Sequence, residues 1–245
     1  MKRPWIKLCG SVVCLAALLW WTDASAVLRR LQNADTGWIT LAVLALTAGT
    51  FAMSHRWKVV AGAFDVQISY PVALREYYLA QLINSALPGG VAGDVTRAFR
   101  VRHKTDLARA AQSVMAERLL GQIAMFALIY AGFAVALMVP GGLEWGELAW
   151  WVLAALTGGA CLATVISASQ NATGAFIRTT LALMRQPAMT LHGVLTTFCL
   201  VFAFYACARA TEIAIPMEGL ETLIPLIQCA MLIPLSVGGW GWREG

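Results

Sequence analysis

The residues best suited to chemistry in this chain gather in Leu87–Lys104, a stretch rich in glycine and charge. A turn of proline and glycine that includes Gly93 opens into a polar segment, where Asp94 and Arg97 are three residues apart. Glycine-rich backbone at a helix start can aim free N–H groups at an anion, and basic residues beyond it strengthen that attraction. In a membrane the nearest abundant anion is a lipid phosphate.

A second explanation fits the same residues. Lys and Arg are enriched in cytoplasmic loops of membrane proteins because they set the topology of the chain. Asp94 and Arg97 share one helical face and can pair, and Arg100 and Lys104 extend that face. The sequence therefore leaves both an anion site and a topology signal open.

The composition indicates an integral membrane protein. Hydrophobic residues make up 59% of the 245 residues, and charged residues make up 13%, about half of the ~25% usual in soluble domains. The net charge of +5 therefore points to cytoplasmic loops and anionic headgroups, not to nucleic acid. The six Cys and three His residues are scattered without metal-ligand spacing, so we expect neither a metal nor another cofactor.

Uncharged stretches predict an all-α polytopic protein with about six transmembrane helices and one or two re-entrant or interfacial helices. We expect one membrane domain over residues 1–245. Spans near ~20 residues exclude a transmembrane β-barrel, whose strands are ~10-residue alternating segments. Basic residues at the span ends predict a cytoplasmic (inner) membrane location with the N-terminus inside. The predicted spans lie in residues 8–22, 38–54, 119–143, 148–177, 186–208 and 222–242.

The uncharged stretch Tyr77–Gly93 is long enough for the lower end of the spanning range. A full crossing here would place the following basic residues, from Arg97 to Arg109, outside the cell, against the positive-inside bias. A re-entrant or interfacial helix returns the chain to the cytoplasmic side. Because Gly/Pro backbone is tolerated at membrane depth only where protein or water covers it, this interpretation also predicts a cavity.

The two ends of the chain raise separate questions. Basic residues, an apolar run and Ala24-Ser25-Ala26 resemble a signal peptide. We favour a retained first span, with cleavage after Ala26 as the alternative. At the other end a glycine-rich break leads into Arg243 and Glu244, which predicts a chain that is truncated at its C-terminus.

No motif predicts catalysis. The turn lacks the GK[ST] ending of a Walker loop, and the chain has neither a GxSxG elbow nor a DxD-type metal pair. Charges at a membrane edge are costly and tend to be functional. This singles out Glu117-Arg118 and Arg243-Glu244, whereas Arg75-Glu76 is better explained as a salt bridge or a snorkelling anchor.

Three segments in succession resemble the lysylphosphatidylglycerol synthase transmembrane-region family, the flippase-like membrane domain of MprF-type and AglD-like proteins. They run from Asn84 to Arg97, from Glu117 to Gly121 and from Pro234 to Gly245. The resemblance implies helices and re-entrant segments around a lipid-accessible cavity. It also implies a set of lipid-headgroup-binding residues: Asn84, Pro88, Gly89, Gly93, Asp94, Arg97, Glu117, Arg118, Ser236, Gly239, Arg243 and Glu244.

The function implied by the resemblance is to bind and translocate, or present, a phospholipid or lipid-linked intermediate. The alternative is an accessory subunit of a glycosyltransferase or lipid-modifying enzyme, so the expected partners are membrane lipids and such an enzyme. The chain departs from the family at Ala92, where glycine is common, and at Gly245, beyond which relatives continue. No soluble aminoacyl-transferring domain follows, so lysyl transfer is not expected.

Overall fold

The computed structural model describes residues 32–86, 91–102, 106–138, 146–213, 215, 219–220 and 222–230. Every regular element within these ranges is helical, which confirms the predicted all-α class. The helices are α1 (Thr36–Ala63), α2 (Tyr70–Ala86), α3 (Ala92–Val101), α4 (Leu107–Met138), α5 (Gly146–Ala168), α6 (Ala172–Leu183), α7 (Pro187–Ala210) and α8 (Leu223–Ala230).

Four of the described helices, α1, α4, α5 and α7, are long and apolar enough to cross a membrane. They correspond to the predicted spans in 38–54, 119–143, 148–177 and 186–208. The predicted first span, residues 8–22, and most of the sixth, residues 222–242, lie outside the described residues; α8 covers the start of the sixth.

Helix α1 extends further than the hydropathy pattern predicts. The predicted span ends before the basic run that starts at His55, but the helix continues to Ala63. Its last turns are held by packing, because Trp57, Val60 and Ala61 are fully buried against neighbouring helices. Hydropathy measures affinity for lipid, and so it misses a helix that continues inside protein.

Helices α2 and α3 form an antiparallel hairpin. The side chain of Asn84 accepts a hydrogen bond from the Gly93 N–H at 2.7 Å, and further from the turn Glu76 pairs with Arg100. The chain therefore turns back on itself, as the re-entrant interpretation requires. At 17 residues, α2 is not among the candidate spans.

A glycine fixes how closely the two helices of this hairpin approach. A Cβ atom at Gly93 would lie 2.1 Å from the carbonyl oxygen of Ala80 and 2.7 Å from its carbonyl carbon. Backbone cannot move aside like a flexible side chain, so no larger residue fits without separating α2 and α3.

The long helices pack through small residues. Along α1 and α7, which run antiparallel, Gly49 faces Cys199, and the backbone N–H of Asp35 donates to the Ala210 carbonyl at 2.9 Å. Small residues let helix backbones approach closely where lipid supplies no hydrophobic drive. By contrast, α5 has a single buried residue, Ala149, so it lies at the periphery of the described bundle.

Two helix ends carry an acidic residue in left-handed backbone conformation. Asp65 follows α1 with φ 59°, and Glu212 follows α7 with φ 60°. The turn after α7 is closed by the Ile213 N–H, which donates to the Ala208 carbonyl at 2.9 Å. Glycine is the usual residue at this position, because a side chain in the left-handed region costs about 1–2 kcal/mol.

A buried ionic cluster and the family of the protein

The carboxylate of Glu117 is the centre of a buried ionic cluster. Oε1 accepts hydrogen bonds from Arg56 Nη2 at 2.7 Å and Arg56 Nε at 3.1 Å. Oε2 accepts from Arg97 Nη2 at 3.3 Å, and the Tyr77 hydroxyl lies 3.2 Å from both oxygens. One carboxylate on α4 thus joins α1, α2 and α3.

The Arg97 guanidinium lies between two aromatic rings. Its central carbon is 4.3 Å from the ring centroid of Trp57 and 4.5 Å from that of Tyr77. The indole N–H of Trp57 donates to Ser113 Oγ at 3.4 Å, which orients the ring. Cation–π contacts of this kind strengthen when the cation is removed from water, and Arg97 is 1% exposed.

Asp94 connects the cluster to a more open side. Its Oδ1 accepts from Arg97 Nη2 at 3.1 Å, and its Oδ2 pairs with Arg118. The Arg118 side chain is 40% exposed, whereas Glu117 beside it in sequence is 1% exposed. The cluster therefore reaches from the interior of the bundle to an accessible surface through a single acidic residue.

The cluster contains more arginines than carboxylates among the described residues. Among the described residues, the guanidinium groups of Arg56, Arg97 and Arg118 face the carboxylates of Asp94 and Glu117, with Arg118 at the exposed edge. Burial and the adjacent Glu117 raise the pKa of Tyr77 to about 12, so its hydroxyl is a neutral hydrogen-bond donor. The buried members, two arginines and two carboxylates, balance each other, as buried charges must unless they are otherwise compensated.

Hydrogen bonding within the cluster is incomplete. Among the described residues, Nη1 of Arg56 and both Nε and Nη1 of Arg97 are buried without a hydrogen-bond partner. The rings of Trp57 and Tyr77 attract the cation but do not replace oxygen acceptors for its N–H groups. These N–H groups can therefore donate to further oxygen atoms.

A second ion pair stabilises the α2–α3 hairpin. Glu76, buried on α2, accepts from Arg100 Nε at 2.6 Å and from Arg75 Nη2 at 2.9 Å. Burial raises the pKa of Glu76, but the hydrogen bonds and positive charges of Arg100 and Arg75 outweigh it, so the pKa is lowered overall. Arg100 thus packs against α2 and does not extend the Asp94–Arg97 face into the cluster, because the hairpin brings Glu76 within its reach.

We expect Glu76→Gln to lower the melting temperature at neutral pH and to flatten its dependence on pH. Because the pKa of Glu76 is lowered on folding, the stabilisation is complete above its ordinary value of 4.5 and is lost as the pH falls through the lowered value. When thermal unfolding is measured from about pH 3 to pH 7, the melting temperatures of the variant and the parent should become equal at the acid end. Glu147→Gln, at an exposed carboxylate of α5, is the control, and parallel curves for Glu76→Gln and the parent would contradict the assignment.

The structure brings six of the predicted site residues together. Asn84, Gly93, Asp94, Arg97, Glu117 and Arg118 all lie in or directly beside the cluster. The N–H of Gly93 is already used by Asn84, so it is not free for an anion. The others lie outside the described residues: Pro88, Gly89, Ser236, Gly239, Arg243 and Glu244.

Sequence reasoning missed Arg56, Trp57 and Tyr77. Arg56 lies in a basic run after a predicted span, which the positive-inside rule already explains, and aromatic residues in a membrane protein are explained by interfacial belts. The position of Arg56 was a usable signal. It lies just after the predicted span, and α1 continues as a helix through it. As to metal chemistry, the described residues contain no group of three His, Cys, Asp or Glu side chains placed to hold an ion.

Together, the long apolar helices and the buried cluster define a polytopic helical membrane protein with an ionic centre at one end of its bundle. The chain belongs to the lysylphosphatidylglycerol synthase transmembrane-region family. The model of this family, described as "Lysylphosphatidylglycerol synthase TM region", matches residues 6–245.

One curated protein is a relative of this chain with low sequence identity. The chain is 20% identical over 143 residues to "UPF0104 membrane protein PH1989" of Pyrococcus horikoshii, a match that covers 57% of this chain and 42% of that protein. The match thus spans less than half the length of the relative. No solved structure matches the chain.

Proposed function

We propose that this protein binds the anionic headgroup of a phospholipid or lipid-linked intermediate at the buried cluster and translocates or presents that lipid across the cytoplasmic membrane. The observation that carries the proposal is that N–H groups of Arg56 and Arg97 are buried without a hydrogen-bond partner among the described residues. A phosphate offers the acceptor oxygens that these N–H groups lack, and Arg is suited to bidentate phosphate binding.

The surroundings of the cluster favour a lipid over a soluble anion. On α3 the charged face is buried, while Val91, Val95 and Phe99 are exposed, so the helix presents an apolar surface next to the cluster. A lipid bound here keeps its acyl chains against these residues while its headgroup reaches Arg118 and then Asp94 and Arg97. Exchange of carboxylate partners for phosphate oxygens would let the headgroup enter without leaving an arginine unpaired.

The distribution of basic residues supports a cytoplasmic position for the cluster. The ends of α1 and α5 and the starts of α4 and α7 lie on the same side of the bundle, since α1 runs antiparallel to both α4 and α7. This side carries most of the described basic residues, whereas Arg209 lies on the opposite side; the set is Lys58, Arg75, Arg100, Arg102, Arg109, Arg178 and Arg185. The positive-inside rule assigns such a side to the cytoplasm, and this orientation is consistent with an N-terminus inside.

The proposal is tested by a flip assay with the purified chain in liposomes, using fluorescent lipids with anionic, zwitterionic and cationic headgroups. Arg118→Gln and Arg97→Lys are expected to slow movement of the anionic lipid by about tenfold or more, because each removes a charge-assisted contact to phosphate. Arg97→Lys keeps the charge but removes the planar guanidinium group, whose several N–H donors can bind phosphate in a bidentate way. Arg118→Gln changes a residue with an exposed side chain, so its folding is less at risk.

The matched control is Arg109→Gln, since Arg109 pairs with Asp65 at 2.9 Å on the surface, away from the cluster. Movement at the parent rate in both cluster variants would refute headgroup capture here. No movement of any lipid by folded parent protein would favour the accessory role instead, in which the chain supports a glycosyltransferase or lipid-modifying enzyme by contact. Co-purification of this chain with such an enzyme would then support the accessory role.

A further inference from the structure

A polar surface cavity, whose charged side chains are exposed, lies at the other end of α1. Its volume is about 340 Å³, and its walls come from the start of α1 and the end of α7, including Asp35, Trp38, Arg209 and Glu212. Arg56 and Trp38 are 18 residues apart on α1, or about 27 Å along the helix at 1.5 Å per residue. The cavity is thus separate from the buried cluster, near the opposite end of the bundle.

The cavity contains opposite charges that do not pair with each other. The Arg209 guanidinium lies over the Trp38 ring at 5.6 Å, and the structure shows no ion pair between Arg209 and either Asp35 or Glu212. Asp35 uses Oδ1 to cap α1 through the N–H of Gly37 at 2.7 Å. Unlike charges that line one cavity without touching leave room for a ligand that bridges them.

Glu212 occupies a position that its backbone does not favour. It follows α7 in left-handed conformation, where glycine would be unstrained, and the turn is closed by backbone hydrogen bonds that need no carboxylate. The left-handed backbone closes the end of α7, but glycine would close it without strain, so the turn does not require the glutamate side chain. Backbone strain of this kind is often found where a side chain serves a site, and here the side chain lines the cavity.

From these observations we infer that the cavity binds a zwitterion, with the anionic group on Arg209 and the ammonium group between the carboxylates of Asp35 and Glu212. A simple anion would meet two carboxylates, and a simple cation would meet the guanidinium, so neither matches the walls as a zwitterion does. The Trp38 ring, which Tyr205 supports by edge contact at 5.9 Å, forms an apolar side of the cavity. Both the headgroup of phosphatidylethanolamine and a free amino acid have this chemistry.

The inference is tested by calorimetric titration of the full chain in phosphatidylglycerol nanodiscs. The probes are glycerophosphoethanolamine and glycine as zwitterions, glycerol phosphate as the anion alone and ethanolamine as the cation alone. We expect at least one zwitterion to bind about tenfold or more tightly than either singly charged probe, because it makes both charge-assisted contacts. Equal binding of the singly charged probes, or no binding of any probe by folded protein, would overturn the inference.

Three variants connect the binding to these side chains. Arg209→Gln and Glu212→Gly should each weaken zwitterion binding about tenfold or more, while Arg109→Gln should not change it. Glu212→Gly also relieves the left-handed strain, so its melting temperature should be equal to or above that of the parent, which separates lost binding from lost folding. Unchanged affinity in both cavity variants would refute the site.

The source of the zwitterion is found by adding phosphatidylethanolamine to the nanodiscs. If the lipid occupies the cavity, soluble glycerophosphoethanolamine will appear to bind more weakly as the lipid fraction rises. If a free amino acid is the occupant, glycine binding will be unaffected by that lipid. Because these are direct binding measurements on residues outside the buried cluster, the result does not depend on lipid translocation there.

Discussion

Glu117→Gln is expected to destabilise the protein by about 3–5 kcal/mol, the usual cost of breaking a buried ion pair by removing one partner. Glutamine has nearly the shape of glutamate, but it removes the negative charge that faces Arg56 and Arg97. Two guanidinium groups would then remain buried close together with only Asp94 to offset them. Equilibrium unfolding in mixed micelles, followed by circular dichroism, measures the difference.

The control for Glu117→Gln is Asp65→Asn, which removes one partner of the exposed Asp65–Arg109 ion pair. Exposed pairs of this kind contribute about 0–1 kcal/mol, so the control should unfold nearly like the parent. Adding Arg56→Met to Glu117→Gln should restore part of the stability, since it removes one of the uncompensated charges. If Glu117→Gln and Asp65→Asn lowered the free energy of unfolding equally, the buried cluster would contribute no more stability than the exposed ion pair.

Gly93→Ala is expected to separate the α2–α3 hairpin. The added Cβ would lie 2.1 Å from the Ala80 carbonyl oxygen, a contact that neither rotamer change nor a flexible neighbour can relieve. We expect a loss at or above the upper end of the ~1–3 kcal/mol typical of overpacking. The shift should also break the Asn84–Gly93 hydrogen bond and move Arg97 away from Glu117. Hydrogen exchange of α3 amides, which should become faster, reports this directly.

Gly158→Ala is the matched glycine control, since a Cβ at Gly158 meets no atom within 4 Å. Alanine is the better helix former by up to about 1 kcal/mol, so this variant should be neutral or more stable. If Gly93→Ala behaved like Gly158→Ala, the close approach of α2 and α3 would not be a feature of the folded protein.

The membrane fold was largely predictable from the sequence because lipid imposes a simple requirement. A helix that crosses the bilayer must hide its backbone polar groups and present about 20 apolar residues, and four such stretches recur as α1, α4, α5 and α7. The same requirement does not determine where a helix ends once it is surrounded by protein. The continuation of α1 to Ala63 depends on burial of Trp57 and Val60 by other helices, which hydropathy alone does not contain.

The candidate site was only half predictable, for a related reason. Asp94, Arg97 and Glu117 could be identified because charges are conspicuous next to apolar spans, but their partners could not. Arg56 is 61 residues before Glu117 in the chain, and no spacing rule connects residues that meet only after helices assemble. The double ring contact of Arg97 with Trp57 and Tyr77 likewise requires three separate helices to be in place.

That separation of Arg56 from Glu117 has a consequence for biogenesis. A ribosome adds about 5–20 residues per second, so a gap of 61 residues corresponds to about 3–12 seconds between the synthesis of the arginine and that of its carboxylate. During this interval Arg56 stays at the aqueous interface, because an unpaired guanidinium within lipid is costly. We therefore expect α1 to complete its packing only after α4 has been inserted beside it.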